Sequence, residues 1–511
     1  MKRSLRIVSL LLLLAMLLPA CAQSKTNDPA ATTPAVTADT TAAPVEETTT
    51  EDPNDRSKVK DSVPDDVRFD GTTLHVLYRG NADGKGLIET LDVVGTDNIG
   101  DYVSDGVWER NRKVEERLGI TFDFIAGMAP DLGSMATMVR STVVSGSDEY
   151  DYINSTGNTN ITQSLNIYMR DLANLPYVDY SEPWWWPDVI RALSLDGKTY
   201  NYIFGDMCVY CYIQTGVFYY NKAMYEDVFG DPDEMYSFVM NGTWTVDMLM
   251  EKAQTAYKDA NGNGVQDTGD VFGVLKTANQ GEETDHYIQA CGVEMYHYDE
   301  NNHLVIEFDQ ERAVLAVEKL GALYNTTPGV FHSDLGIDQS DKYFADGTVL
   351  FFPARFSRVT QENLRSMEQP YGILPYPKLT EDQKEYYSLI HDSSSNICVP
   401  KSVGEDKMPV LGATFEALCA ESWRSVMPLF LETALKLKYS QDSMSGQVID
   451  IVIGSVAKNT LIEYRNYTND FINNCMGTNI KNGKNNFASV YKKALSAAQK
   501  AWDKAVEKIG G

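Results

Sequence analysis

Between Gly71 and Ile153, stretches with the alternation of strands are separated by stretches with helical spacing, and this order restricts the fold more than any other feature of the chain. Gly71–Tyr78 (GTTLHVLY) reads as a strand that ends on Arg79-Gly80-Asn81. Val107, Val114 and Leu118 then recur at helical spacing, and Gly119 is suited to stop that helix. Ile120–Ala126 (ITFDFIA) is a second strand, and Met135, Met138, Val139 and Val143 line a second helix. Glu149–Ile153 is a short third strand, followed by the polar turn Asn154–Asn158. A β-α-β-α-β order implies a largely parallel sheet covered by helices. Ligands of such sheets meet the loops at the carboxyl ends of the strands. Arg79, Asn81, Ser155, Thr156 and Asn158 are therefore candidate site residues.

The N-terminus gives an address. Lys2, Arg3 and Arg6 precede an apolar run from Ile7 to Leu18, a secretory signal whose apolar core is short for a membrane span. Leu18-Pro19-Ala20-Cys21 resembles the lipobox of bacterial lipoproteins. There the signal is cut before the cysteine, which becomes lipidated; Pro19 departs from the small residue usual at its position. The alternative is plain secretion with Cys21 incidental. Residues 1–20 are thus read as signal peptide. Residues 21–68, rich in Thr, Ala, Pro and Glu, are read as a lipidated Cys21 followed by a disordered tether, because such a stretch buries too little apolar surface to offset its ordering entropy. This places the body at the extracellular face of the cell membrane, held by a lipid anchor.

Charge removes one class of partner. With 44 Lys+Arg against 72 Asp+Glu the chain carries −28, which argues against nucleic acid. No HExxH, GxSxG or P-loop pattern accompanies the six histidines, so catalysis is not expected; paired carboxylates suited to glycan hydrolysis remain the enzymatic alternative. Cys208-Val-Tyr-Cys211 has CxxC spacing but no second CxxC and no close His to suggest zinc. A structural disulfide or two plain core thiols are the readings kept.

The middle of the chain is aromatic. Trp184, Trp185 and Trp186 stand between Pro183 and Pro187, and Tyr210–Gly230 (YCYIQTGVFYYNKAMYEDVFG) follows. Thr245 is a plausible N-cap for a helix through Tyr257. Asp259, Asn261, Asn263, Asp267 and Asp270 place oxygens at positions 1, 3, 5, 9 and 12 of a twelve-residue loop, with Gly264 at 6 and the Val265 carbonyl at 7. That is the EF-hand loop pattern with Asp in place of the final Glu. One structural Ca²⁺ is the reading; a solvated Asx/Gly turn without metal is the alternative. No cofactor is required otherwise.

Taken in order, the lipobox, tether, YDYI (Tyr150–Ile153), Pro-Trp-Trp segment, TGVFYYNKAMYEDVFG (Thr215–Gly230), TWTVDMLMEKA (Thr243–Ala253), ADGTVLFFPARFSRV (Ala345–Val359), YGILPYPK (Tyr371–Lys378) and SNICVPKSV (Ser395–Val403) resemble extracellular solute-binding proteins of ABC importers, of the type that mostly carries sugars and oligosaccharides. The resemblance implies an α/β, two-lobed periplasmic-binding-protein-like fold (type II-like), its lobes joined by crossing strands around a ligand cleft. The expected first lobe is 71–213 with 394–435, and the second 214–393 with 436–511, the chain crossing near Ile213–Tyr219 and His391–Ser395. Expected partners are a small-molecule solute, a carbohydrate by this reading, and ABC permease subunits, the chain itself being a monomer. A non-sugar solute such as a peptide is the alternative. A sugar site needs flat rings for CH faces and planar polar groups for hydroxyls. Trp184, Trp185, Trp186, Tyr210 and Tyr212 are the candidate rings. Asp206, Arg355, Asp392, Ser393 and Asn396 are the candidate polar partners.

Overall fold

The fold is a computed structural model. It describes residues 55–80, 92–95, 102–128, 132–156, 166–276, 280–332, 337–391, 394–431, 443–457 and 459–510. The signal sequence, Cys21, Asn81, Asn158, Asp392 and Ser393 lie outside the described residues, and of Ser155 and Thr156 only the backbone is described.

Two sheets organise the chain. The first contains β1 (Thr72–Gly80), β2 (Ile120–Met128), β3 (Tyr152–Thr156) and β12 (Ser395–Cys398) in the order β12-β3-β1-β2. The strand β1 runs parallel to both β2 and β3, whereas β12 is antiparallel to β3. Leu74, Val76 and Leu77 are all fully buried, as a strand covered on both faces requires. Helix Tyr102–Leu118 returns the chain from β1 to β2 and ends at Gly119, whose φ of +71° suits glycine. The strand β3 starts later than its sequence suggests and runs through Asn154–Thr156, because β12 pairs with these residues. The turn expected at Asn154 is therefore ladder. No local pattern announces a partner 240 positions away.

The second sheet holds β4 (Gly216–Asn221), β5 (Phe272–Lys276), β8 (Val330–His332), β9 (Val349–Arg355) and β10 (Tyr371–Leu374), in the order β10-β4-β9-β5-β8. Here β5 is parallel to β8 and β9, while β4 is antiparallel to β9 and β10. Every residue of β4 is buried, with Tyr219 packed among Phe344, Phe352 and Tyr371 on one face and Phe218 among Trp244, Tyr287 and Tyr376 on the other. Helix Val246–Ala256 begins where expected, the Thr245 side chain accepting the Met248 N–H. Two smaller pairs complete the strands: the hairpin β6 (Tyr296–Tyr298) and β7 (Leu304–Ile306), and β11 (Ser388–Leu389) beside β13 (Val456–Ala457).

The connections between the sheets run antiparallel to each other. The chain leaves the first sheet through a short helical turn, Tyr210–Ile213, and the crossing expected from Ile213 becomes strand only at Gly216. Thr215 then bridges Ile390, the His391 N–H donates to the Gln214 carbonyl (3.0 Å), and the Phe356 N–H donates to the Thr215 carbonyl (3.0 Å). The C-terminal helix Phe487–Gly510 does not belong to one lobe. It packs against residues 166–168 on the first, while its Gln499 and Tyr491 bond to Ile306 and Phe308 on the second.

The tether is shorter than its composition suggests. From Asp55 onward the segment is docked on the first lobe. Asp61 takes both guanidinium nitrogens of Arg117 (2.7 and 2.8 Å) and Nη2 of Arg424 (3.1 Å), and Val63 is buried. Arg56 lies over the Trp423 ring at 4.8 Å. The contacts that order residues 55–68 come from positions 117, 416, 423 and 424, which the polar composition of the segment does not reveal.

Candidate functional site

The parallel strands direct their carboxyl ends, and so Gly80, Thr156, Lys276, His332 and Arg355, toward the region where ligands of such sheets bind. Arg355, at the end of β9, stands in register with Gly216, and its Nη1 donates to Gln214 Oε1 (2.9 Å). His286 fills the other side of Gly216: a Cβ there would come within 2.2 Å of His286 Nδ1, so a side chain is sterically excluded. The His286 ring stacks on Tyr376, centroids 5.4 Å apart. Farther along the same wall, Lys276 is buried with Nζ 3.9 Å from the Tyr324 ring centre, and the Tyr324 hydroxyl donates to Glu283 (3.3 Å). Burial pushes the Lys276 ammonium down to about 8, against the opposing pull of Glu283. The sequence reading missed Lys276, Glu283, His286 and Gln214. A lysine closing the apolar strand FGVLK was the available signal.

A second group lies where the first lobe leads into the crossing. Asp206 Oδ1 accepts both the Trp186 indole N–H (2.8 Å) and the Tyr212 hydroxyl (2.9 Å), and the two rings meet at 4.4 Å. Asp206 is only 3% exposed, and burial raises its carboxyl to about 7 although both hydrogen bonds favour the anion. Trp186 and Tyr212, with Pro183, Pro187, Val189 and Ile453, line an open groove of about 230 Å³. Trp186 is the one half-exposed ring of the triplet. Trp184 (0% exposed) packs on Trp423, and Trp185 (3%) donates its N–H to Glu416 (2.8 Å). Both point into the first lobe, so the cleft role expected of them gives way to packing. Residues 184–186 run alongside 204–206, through the Trp185–Gly205 bridge and the Asp206 N–H to Trp184 carbonyl bond (2.9 Å). This pairing decides which rings turn inward.

The remaining expected residues scatter. Tyr210 is buried among Val103, Val107 and Phe430. Asn396 is wholly buried in β12, with no hydrogen-bond partner for its amide among the described residues. Arg79 is half-buried on β1. Asp92, also missed from sequence, is fully buried and accepts the Ser395 hydroxyl (2.6 Å); burial raises it to about 7.

The EF-hand-like loop is held by its own amides. Asp259 accepts the Gly262 and Gly264 N–H groups (2.7 and 2.9 Å), Asn263 accepts that of Val265 (2.7 Å), Asp267 accepts that of Gly269 (2.8 Å) and Asp270 accepts that of Ala260 (3.1 Å). Asn261 Nδ2 donates to Asp267 (2.8 Å). Among the described residues no three His, Cys, Asp or Glu side chains are grouped to share a metal ion. No helix of the described residues is long and apolar enough to cross a membrane.

Solved structures share this architecture. A cyclo/maltodextrin-binding protein complexed with maltotetraose superimposes with a TM-score of 0.51 at 13% identity, over 88% of this chain and 98% of that one. A maltose/maltodextrin-binding domain from Bdellovibrio bacteriovorus bound to maltotriose gives 0.49 at 12% identity (85% and 100% covered). An ABC transporter solute-binding protein from Thermotoga lettingae bound with α-D-tagatose gives 0.49 at 14% (84% and 100%). No curated protein matches the chain in sequence. A family model described as bacterial extracellular solute-binding protein matches residues 147–408, just over half of the chain and both sides of the crossing. The two-lobed α/β chain belongs to the bacterial extracellular solute-binding proteins.

Proposed function

We propose that this protein captures a carbohydrate between its two lobes and hands it to the permease of an ABC importer, releasing it chemically unchanged. One observation carries the reading. The segments that join the lobes, Gln214–Gly216 and Ile390–His391, are hydrogen-bonded to each other, with aromatic and planar polar groups on either side. Trp186 supplies a flat face and Arg355 a hydroxyl partner, while Asp206 holds Trp186 and Tyr212 in place and Gln214 holds Arg355. A cleft formed this way lets a solute bias an open–closed equilibrium by contacting both walls at once. The maltotetraose held by a protein of the same fold is in keeping with a sugar.

Export and anchoring through Cys21, placement at the outer face of the cell membrane, permease subunits as partners and a monomeric state complete the proposal. Mass spectrometry of the mature N-terminus tests the anchor: an unmodified Cys21 or a cut elsewhere overturns it. A thermal-shift screen against mono- and oligosaccharides tests the solute class. A sugar at 100 times its dissociation constant adds about 2.7 kcal/mol of stability. Stabilisation by peptides alone would refute the carbohydrate reading.

A further inference from the structure

The turn that leads out of the first lobe holds two thiols side by side. The Cys211 N–H donates to the Cys208 carbonyl (2.9 Å), closing a turn. The ends of such a turn lie within about 7 Å, Cα to Cα. A disulfide bridges Cα separations of about 4.4–6.8 Å. Both sulfurs are buried, and the neighbouring Cys211 thiol joins burial in pushing the Cys208 thiol up. The Cys211 thiol also donates to the Ser395 carbonyl (2.9 Å) on β12, the strand by which the chain returns to the first lobe. The pair therefore sits where the two connections between the lobes approach each other. A third thiol is near: a Cβ on Gly205 would come within 2.6 Å of Cys419 Sγ. Cys419, however, is brought there by a helix two hundred positions away.

We propose that Cys208 and Cys211 form a disulfide in the exported protein. The compartment of an extracellular protein is oxidising, unlike the cytosol. In the step, the Cys208 and Cys211 thiols exchange with a disulfide of the extracytoplasmic space. The S–S bond of that donor breaks and a new one forms between Cys208 and Cys211. The two protons and two electrons lost by the pair leave on the donor, which becomes two thiols. Neighbours three positions apart meet before the core closes, so the bond forms during folding, ahead of the burial that would shield either sulfur. Closure also removes the Cys211 S–H donor from the Ser395 carbonyl, changing one of the contacts between the crossing segments.

The test uses the full chain exported by a bacterial host, quenched in acid, denatured, and alkylated with iodoacetamide without reductant. Peptide mass mapping is expected to show Cys208 and Cys211 unalkylated in one peptide, two hydrogen masses lighter than the dithiol, with Cys291, Cys398, Cys419 and Cys475 alkylated. Prior reduction should expose both sulfurs. In Cys208→Ser, Cys211 should be alkylated without reductant, and denaturation makes this readout independent of whether the variant folds. Alkylation of both cysteines in the unreduced wild type, or a link from either to Cys419, overturns the proposal.

Discussion

Replacing Asp206 by Asn should change how stability depends on pH while leaving the local hydrogen bonds in place. In the wild type a single oxygen, Oδ1, accepts from Trp186 and from Tyr212. An asparagine oxygen can accept both. What the substitution removes is titration. The Asp206 carboxyl titrates near 7 in the fold, raised first by burial, against about 4 in an unfolded chain. Between those values the folded protein keeps a proton that the unfolded chain has released, so stability falls as pH rises through the window. At about 1.4 kcal/mol per pKa unit, the full loss between pH 4 and pH 8 is on the order of 4 kcal/mol. Asp92, also raised to about 7, adds a loss of the same sign, which the comparison of Asp206→Asn with wild type cancels. The assay is urea unfolding of both proteins at half-unit steps from pH 4 to 8. Asp206→Asn should gain on the wild type steadily from pH 4 to 7 and level off above. A difference that stays constant across this range would refute the account of a buried, protonated Asp206.

Four further outcomes are expected. Asp61→Ala should cost about 3 kcal/mol at pH 7, the lower end for breaking a buried ion pair, since Arg117 stays partly hydrated. Burial alone would raise the Asp61 carboxyl, but the hydrogen bonds and charges of Arg117 and Arg424 hold it low. The cost should therefore vanish as pH falls through its folded value, and a change under 0.5 kcal/mol at pH 7 would return the segment to a loose tether. Trp186→Ala should weaken a bound sugar about tenfold or more, a loss of about 1.4 kcal/mol in binding, besides the folding stability lost with its Asp206 hydrogen bond and Tyr212 contact. Trp185→Ala should instead cost about 3–5 kcal/mol of folding stability, and equal sugar affinity in wild type and Trp186→Ala would show that the ring does not touch solute. Calorimetry with Ca²⁺ should give binding heat for the wild type that Asp259→Ala loses; negligible heat in both would leave the Asp259–Asp270 loop to its hydrogen bonds alone.

Several strands and helices were legible because their evidence is local. Strand and helix periods around Leu74, Val107 and Phe122, and the N-cap at Thr245, are written within a dozen residues each. The docked segment and the site were harder for one reason: their contacts are long-range. Asp61 is ordered by Arg117 and Arg424, and Trp185 is turned inward by Glu416, none of them near in sequence. Lys276 and His286 escaped notice because each looks ordinary where it stands, one ending a strand and one inside an acidic helix. Only the tertiary fold brings His286 against Gly216 and Lys276 over the Tyr324 ring. In the aromatic triplet, successive side chains of an extended segment turn to opposite faces, which does not by itself say which ring faces outward. The pairing with residues 204–206 decided that Trp186 is the one that faces outward.

Small-angle X-ray scattering of the mature protein, with and without saturating amounts of the sugar found by thermal shift, tests the central claim most directly. The two-lobed account predicts a smaller radius of gyration with sugar, as the lobes close about Gln214–Gly216 and Ile390–His391, and sugar recovered intact afterwards. An unchanged scattering curve at saturation, or a sugar recovered hydrolysed, would contradict it.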